Sequence, residues 1–355
     1  MTLGDHHASS TKTQGARPVV ILGAGGYFGS SLCRFFHATP PYRVVALFRR
    51  QPNHGSFSDY VVADAYKENW SERISPLSPF VLINCAFDFS AIQAREDYRL
   101  KYALFERNIA DLSCRGAAQL INISTMSAYP GCRSDYGREK LFLEELFNRH
   151  DGINVRLGML ASWQKPGSAF LTLISTARRS RVIPLPRARH SGFYFCDLEA
   201  ALLGIFLLVN MKLNKPHTVS FCYPNRLTLR HTLDLIEKRY GLQRLKIAFP
   251  WEVAYPLLLA KEAAIGKSKV RADSLLDFAY PARTVFRRGI FARIIEAFRN
   301  DLEGLESCAR TERDSTGFYF LEPPRRRASQ PTRACRLKEI ARPNVIASLG
   351  RVADV

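Results

Sequence analysis

From Val19 to Leu160 the chain alternates short apolar runs with longer amphipathic stretches. Val19–Leu22, Tyr42–Phe48, Tyr60–Val62, Phe80–Cys85, Gln119–Ile123 and Ile153–Leu157 read as strands. They are apolar almost throughout, not at alternate positions, which is the pattern of strands covered on both faces. Between them, Ser30–His37, Tyr98–Cys114 and Arg138–Asn148 carry helical spacing. Buried strands separated by helices predict an α/β fold with a doubly wound parallel sheet, whose ligands bind beyond the strand C-termini. After Leu160 the alternation loosens. Asp197–Leu208 and Thr228–Tyr240 are predicted helices, and Trp251–Gly266 is an apolar run that Pro256 breaks. From about Ser307 the pattern fails, and Pro323-Pro324-Arg325-Arg326-Arg327 belongs to a polar, basic stretch of the kind that stays flexible. The predicted organisation is a flexible N-terminus (1–16), a sheet domain (17–161, completed by 192–223), a smaller substrate lobe (162–191 and 224–305) and a basic, disordered tail (306–355). No internal repeat interrupts this order.

Composition narrows the class. Of 355 residues, 46% are apolar, enough to build a core, so wholesale disorder is excluded. Lys and Arg number 51 against 32 Asp and Glu, a formal net charge of +19, which points to an anionic partner such as a phosphorylated small molecule. Eight cysteines are scattered without a C-x-x-C pair, so no zinc site is expected, and free thiols suit a reducing compartment. The first sixteen residues are polar, unlike a secretory signal, and the apolar run Ala200–Met211 is too short to span a bilayer. The expectation is a cytoplasmic protein with no transmembrane segment, and no nucleic-acid module is recognisable.

The first candidate chemistry lies directly after the first strand. Gly23-Ala24-Gly25-Gly26-Tyr27-Phe28-Gly29 has the spacing G-x-x-G-x-x-G. Gly23 allows a tight turn, Gly26 lets backbone N–H groups approach a pyrophosphate, and Gly29 lets the helix pack close to the strand. Strand, glycine turn and helix in that order make a Rossmann-type dinucleotide site with Gly23, Gly26, Tyr27, Phe28 and Gly29 as its cofactor-binding residues. The end of the second strand selects between NAD and NADP. An acid there grips the ribose 2′-hydroxyl of NAD, but this chain carries Arg49-Arg50, whose guanidinium groups suit a 2′-phosphate. NADP is therefore the preferred expectation and NAD the alternative. Asp64, after the third strand, can accept from the adenine amino group or serve as an ordinary turn residue.

The second candidate is Tyr136-Gly137-Arg138-Glu139-Lys140. Four residues apart on a helix, Tyr136 and Lys140 share a face, and an ammonium beside a phenol favours the phenolate. The pair can move a proton at an alcohol or carbonyl. Upstream, Ser124-Thr125-Met126-Ser127 ends a strand with hydroxyl groups able to bind the substrate oxygen. The basic run Arg178–Arg189 can hold a nucleotide diphosphate, or simply be a solvated loop.

Taken together, the glycine turn, the I-S-T-x-S-A-Y strand end and Y-G-R-E-K resemble the extended short-chain dehydrogenase/reductase superfamily, the NAD-dependent epimerase/dehydratase group, over roughly residues 18–281. The resemblance implies Tyr136 as general acid/base, Lys140 tuning it and holding the nicotinamide ribose, and Thr125 as the catalytic hydroxyl with Ser124 as the alternative. It also implies homodimers formed by helix packing. Met126-Ser127 stands where dehydratases of the group carry Asp-Glu, which argues against water elimination. The expected function is an NAD(P)-dependent oxidoreductase or epimerase acting on a secondary alcohol or ketone, foremost of a nucleotide sugar. The other expectations are a ketone reductase of lipid or secondary metabolism, and a non-catalytic dinucleotide-binding subunit or redox sensor.

Overall fold

The computed structural model describes residues 16–88, 97–163, 166–188, 191–211, 217–223, 226–265 and 272–281. The expected basic tail, most of the N-terminal segment, Arg189 and His190 lie outside these residues.

The sheet is built from β1 (Arg17–Leu22), β2 (Tyr42–Phe48), β3 (Asp59–Val62), β4 (Val81–Asn84), β5 (Gln119–Thr125), β6 (Ile153–Leu157) and β10 (His217–Phe221). Their spatial order is β10-β6-β5-β4-β1-β2-β3, with every pairing parallel. The chain runs outward from β1 to β3 and returns through β4 on the other side of β1. The switch point therefore lies between β1 and β4, at their C-terminal ends.

The all-apolar strands are explained by the two layers that cover them. Val19 and Ile21 of β1, Val44 and Ala46 of β2 and Ile121 and Ile123 of β5 face α1 (Tyr27–His37) and α6 (Leu198–Asn210). Val20 and Leu22, Val45 and Leu47, and Leu120 face α2 (Ser71–Ile74), α3 (Tyr98–Cys114) and α4 (Asp135–Asn148). Helix α6 is buried along most of its length, from Leu198 to Val209, which accounts for its apolar residues all round. On α1, Leu32 and Phe36 are fully buried; each contributes on the order of 1.5–3 kcal/mol by leaving water.

One polar thread crosses this interior. Asn84, Asn122 and Asn154 lie side by side on β4, β5 and β6, all fully buried. The Asn84 amide donates to the Asn122 carbonyl (3.0 Å) and the Asn122 amide to Asn154 (2.9 Å). Asn154 donates onward to the Glu144 backbone carbonyl at 3.1 Å, and Asn84 accepts from the Ala86 N–H at 3.1 Å. The ladder ties the strand ends to α4 and to the segment that leaves β4.

The smaller lobe contains β7 (Met159–Ala161) paired with β9 (Phe195–Asp197), and β8 (Val182–Arg187) paired with β11 (Leu245–Pro250). Its helices are α5 (Ser168–Arg179), α7 (Leu229–Tyr240), α8 (Trp251–Ile265) and α9 (Ala272–Ala279). Asp197 and Thr228, expected as first helical residues, are N-caps: their side chains accept from the N–H groups of Glu199 and His231. The expected break at Pro256 does not occur. Helix α8 continues through it, because Pro256 is the sixth residue of the helix and removes only the hydrogen bond to the Glu252 carbonyl at the solvent-facing N-terminal end.

Replacing Asn122 with Leu leaves the Asn84 amide and the Asn154 carbonyl without their partner in the core. The variant is expected to lose about 2–4 kcal/mol of stability by urea denaturation.

Candidate functional site

A cavity of about 1010 Å³ opens at the switch point, between the C-terminal strand ends and the smaller lobe. It brings together the glycine turn, Arg49, Arg50, Asp64, Thr125, Tyr136 and Lys140, so residues from widely separated parts of the sequence border one space.

At one end lies the turn between β1 and α1. Gly23 has φ +74, and a Cβ there would stand 2.6 Å from the Ala86 nitrogen. A Cβ on Gly29 would stand 2.3 Å from the Gly23 carbonyl oxygen. The two contacts press β1, α1 and the segment after β4 together with no room for a side chain. Gly26 is the N-cap of α1 and supplies no side-chain cap, so the first N–H groups of the helix face the cavity. Gly25 and Gly26 are exposed there. An uncapped helix N-terminus beside side-chain-free backbone fits the pyrophosphate of a dinucleotide. Phe28 is buried in the core while touching the cavity wall. Tyr27 packs against Gly167, and its phenol is pushed up to about 12 by burial and by the Asp197 carboxylate.

Arg49 and Arg50 follow β2, are exposed, and border the cavity next to Phe48. Asp64 borders it too, but one of its oxygens accepts from the Tyr66 N–H at 3.0 Å, so the residue also makes the local turn.

At the other end, β5 delivers Ser124 and Thr125, and α4 delivers Tyr136 and Lys140. Ser134 caps α4 by accepting from the Gly137 N–H (3.0 Å), which fixes the helix start one turn before Lys140. The Thr125 hydroxyl hydrogen-bonds the Tyr136 phenol and favours its ionised form. Ser124 spends its hydroxyl on Glu144, which is clamped by Arg156 at 2.7 Å. Of the two hydroxyl candidates, Thr125 is the one turned to Tyr136. The Lys140 ammonium donates to the Ile123 carbonyl at 2.9 Å and lies 4.6 Å over the Phe87 ring. Burial pulls its pKa down to about 8, against weaker support from Cys85, Glu139 and Glu144. Glu139, buried between them in sequence, turns the other way to pair with Lys101 and accept from Tyr102, locking α4 onto α3.

The phenol itself departs from the expectation. Burial first, and then the Asp277 carboxylate, push the Tyr136 pKa up, against the Thr125 hydrogen bond. The Lys140 ammonium rests on the Ile123 carbonyl.

Four residues bordering this end escaped the sequence reading. Phe87 meets the Tyr136 ring edge-on at 5.1 Å between centroids. Asp88 follows it. Asp273 and Asp277 come from α9: Asp273 accepts from the N–H groups of Asp135 (2.7 Å) and Tyr136 (3.1 Å), and Asp277 accepts from the Ser134 hydroxyl. Phe87 and Asp88 sit just past a predicted strand, so the rule that ligands bind at strand C-termini could have flagged them. Nothing local marks Asp273 or Asp277. Conversely, Arg178, Arg179, Arg181 and Arg187 do not border the cavity. They are exposed at the end of α5 and at the two ends of β8.

Comparison with known proteins bears on this arrangement. A model of the NAD dependent epimerase/dehydratase family matches residues 19–161. Over this segment the chain is similar to that family. Among solved structures, MoeE5 in complex with UDP-glucose and NAD is similar at 18% identity and TM-score 0.55, covering 80% of this chain and 99% of that one. The UDP-glucuronic acid 4-epimerase from Bacillus cereus, in complex with UDP-glucuronic acid and NAD, gives 16% identity and TM-score 0.54, covering 81% and 99%. TunA, an NAD-dependent NDP-hexosamine 5,6-dehydratase of tunicamycin biosynthesis, gives 14% and 0.54, covering 74% and 96%. At these identities the likeness establishes the doubly wound fold. No curated protein matches the chain in sequence.

Two measurements test the site's physics. Gly29→Ala is expected to lose about 2 kcal/mol or more and to weaken dinucleotide binding, since its Cβ must push α1 off β1; denaturation and fluorescence titration report the two effects. For Lys140, the folded-state pKa near 8 lies below the ordinary 10.5, so the unfolded chain binds the extra proton between those values. The wild type should therefore gain stability relative to Lys140→Met as pH rises from about 8 to about 10.5, and the difference should be flat below that window.

Proposed function

We propose that the protein is an NAD(P)-dependent oxidoreductase or epimerase that acts on a secondary alcohol or ketone of a nucleotide sugar. The observation that carries this reading is the single cavity in which an uncapped, glycine-lined helix N-terminus faces the Tyr136–Thr125–Lys140 corner. A bound nicotinamide supplies or accepts the hydride. The chain's own residues do the rest. Gly23, Gly25 and Gly26 leave backbone N–H groups for the pyrophosphate. Tyr136 holds the proton that passes to or from the substrate oxygen, and Thr125 steadies the phenol at the moment it ionises. Lys140 would hold the ribose hydroxyls, and a cation there would favour the Tyr136 phenolate against the effect of Asp277.

The nucleotide-sugar substrate rests on the family of residues 19–161 and on the sugar nucleotides held by MoeE5 and the Bacillus cereus enzyme. A second reading has its own observation. Phe87, Met126, Met159, Leu160 and Phe193 line the cavity, and Arg178, Arg179, Arg181 and Arg187, expected to grip a diphosphate, do not. That wall suits a ketone carrying an apolar group, reduced once with release of the oxidised cofactor. Net conversion with catalytic cofactor supports the epimerase; stoichiometric NADPH or NADH consumption supports the reductase.

The two cofactor forms are favoured by different observations. The family is NAD-dependent, whereas the exposed Arg49-Arg50 pair at the end of β2 suits a 2′-phosphate. Fluorescence titration should show NADPH bound more tightly than NADH, with the preference lost in Arg49→Ala/Arg50→Ala; equal affinities in the wild type would assign the site to NAD. In the same assay Tyr136→Phe should keep its dinucleotide affinity while turnover falls by about 100-fold or more. Unchanged turnover would leave the cavity a dinucleotide-binding site without this chemistry.

A further inference from the structure

Strands β8 and β11 form a two-stranded parallel pair in which Leu245 lies opposite Val182 and Ile247 opposite Pro184. Ile183 and Leu185 are buried against α5 and α7, so the other face of the pair should be polar if it simply met water. It is aliphatic instead: Val182 is 46% exposed, Leu245 62% and Ile247 51%. Helix α8 starts where β11 ends and packs against both strands. It buries Ala254, with Tyr255 and Leu258 alongside, and turns Val253, Leu257 and Leu259 outward at 51%, 64% and 43%. Six of the ten large exposed hydrophobic residues among the described residues thus lie on three elements packed on one another.

Basic residues outnumber acids around this surface. Arg178, Arg179 and Arg181 precede Val182, and Arg187 closes β8; all four are exposed. No acid occurs between Ser168 and Cys196. Asp234 and Glu237, the acids facing the pair from α7, are both bound to Lys246 at 2.7 Å, leaving Glu252 and Glu262 on α8. An aliphatic surface of this extent marks an interaction site. The excess of guanidinium groups at the two ends of β8 selects the partner: aliphatic side chains enter the acyl boundary while arginines meet headgroup phosphates. A nucleic acid would match the charge and leave the aliphatic face unused.

The geometry points to a membrane-docking face: the outer side of β8, β11 and α8 rests on an anionic lipid surface. No helix among the described residues is long and apolar enough to cross a membrane, so the association is peripheral. It is independent of the reaction assigned to the cavity.

The test uses the full chain and flotation with phosphatidylcholine vesicles, with and without about 30% phosphatidylserine. The protein should float with the anionic vesicles only, less so as salt rises. Leu245→Glu/Ile247→Glu and, separately, Leu257→Glu should weaken binding by about tenfold or more. All these positions are exposed, so circular dichroism melting should match the wild type. Absence of binding to anionic vesicles overturns the proposal. So does binding that survives these variants and disappears in Arg325→Ala/Arg326→Ala/Arg327→Ala, which assigns it to that basic run. If the variants instead abolish a concentration-dependent dimer seen by sedimentation and leave vesicle binding unchanged, the face joins two copies of the chain and the lipid assignment fails.

Discussion

At Gly23 three stretches of backbone meet with no space for a β-carbon. The turn out of β1, the first turn of α1 and the segment leaving β4 are pressed together there, with Ala86 against Gly23 and Gly23 against Gly29. Because the contact is between backbones, a bulky residue cannot be accommodated by rotating a side chain, and the sheet cannot open or close there by small steps. The cleft follows from it. Holding α1 close to β1 aims the helix N-terminus along the strand ends. Holding Ala86 in place sets Phe87, and Phe87 sets the corner shared by Tyr136 and Lys140. The asparagine ladder continues the constraint to β6 and α4, so both halves of the cavity are referred to one rigid frame.

Within that frame the acid/base corner is held in a resting arrangement. Burial lowers the Lys140 pKa to about 8 while its ammonium rests on the Ile123 carbonyl, and burial, then Asp277, raise the pKa of Tyr136. A protonated phenol suits the donation of a proton to a carbonyl oxygen; the reverse direction requires a cation to approach it. Movement of the Lys140 ammonium from a backbone carbonyl to a ribose would make the phenol's acidity depend on whether the dinucleotide is in place. Carboxylates at Asp273 and Asp277 also make this end of the cavity unfavourable for an anionic substituent next to the reacting carbon, so the polarity of the substrate is constrained by α9 as well as by the sheet.

The sheet domain was legible because its signals are local. Tyr42–Phe48, Tyr98–Cys114 and Ile153–Leu157 carry their periodicity within themselves, and the structure shows those elements with those bounds. Gly23–Gly29 and Tyr136–Lys140 are equally local, since one turn and one helical repeat bring each set together. The illegible features are those made by distant packing. Whether Ser124 or Thr125 faces Tyr136 depends on Glu144 and Arg156, which capture Ser124 from another helix and strand. The upward shift of the phenol comes from burial and then from Asp277, some 140 residues away in the chain. The arginine run of 178–189 was visible as charge, but charge carries no address. Only the structure puts Arg178, Arg179, Arg181 and Arg187 at the ends of β8 and not on the cavity.

The two parts of the molecule also obey the folding rules to different degrees. In the sheet domain, pattern and burial agree at nearly every element, as expected where the structure serves stability. In the smaller lobe they disagree in specific places. A two-stranded sheet leaves aliphatic residues of its outer face in water, and a helix runs through a proline with an aliphatic outer face. Each exposes aliphatic area, which has an energetic cost in an isolated monomer in water. Such departures persist where something outside the fold relieves them. For these faces it is a surface that accepts both hydrocarbon and positive charge. The lobe that tells least about its fold in sequence is therefore the part whose structure says most about what the protein meets.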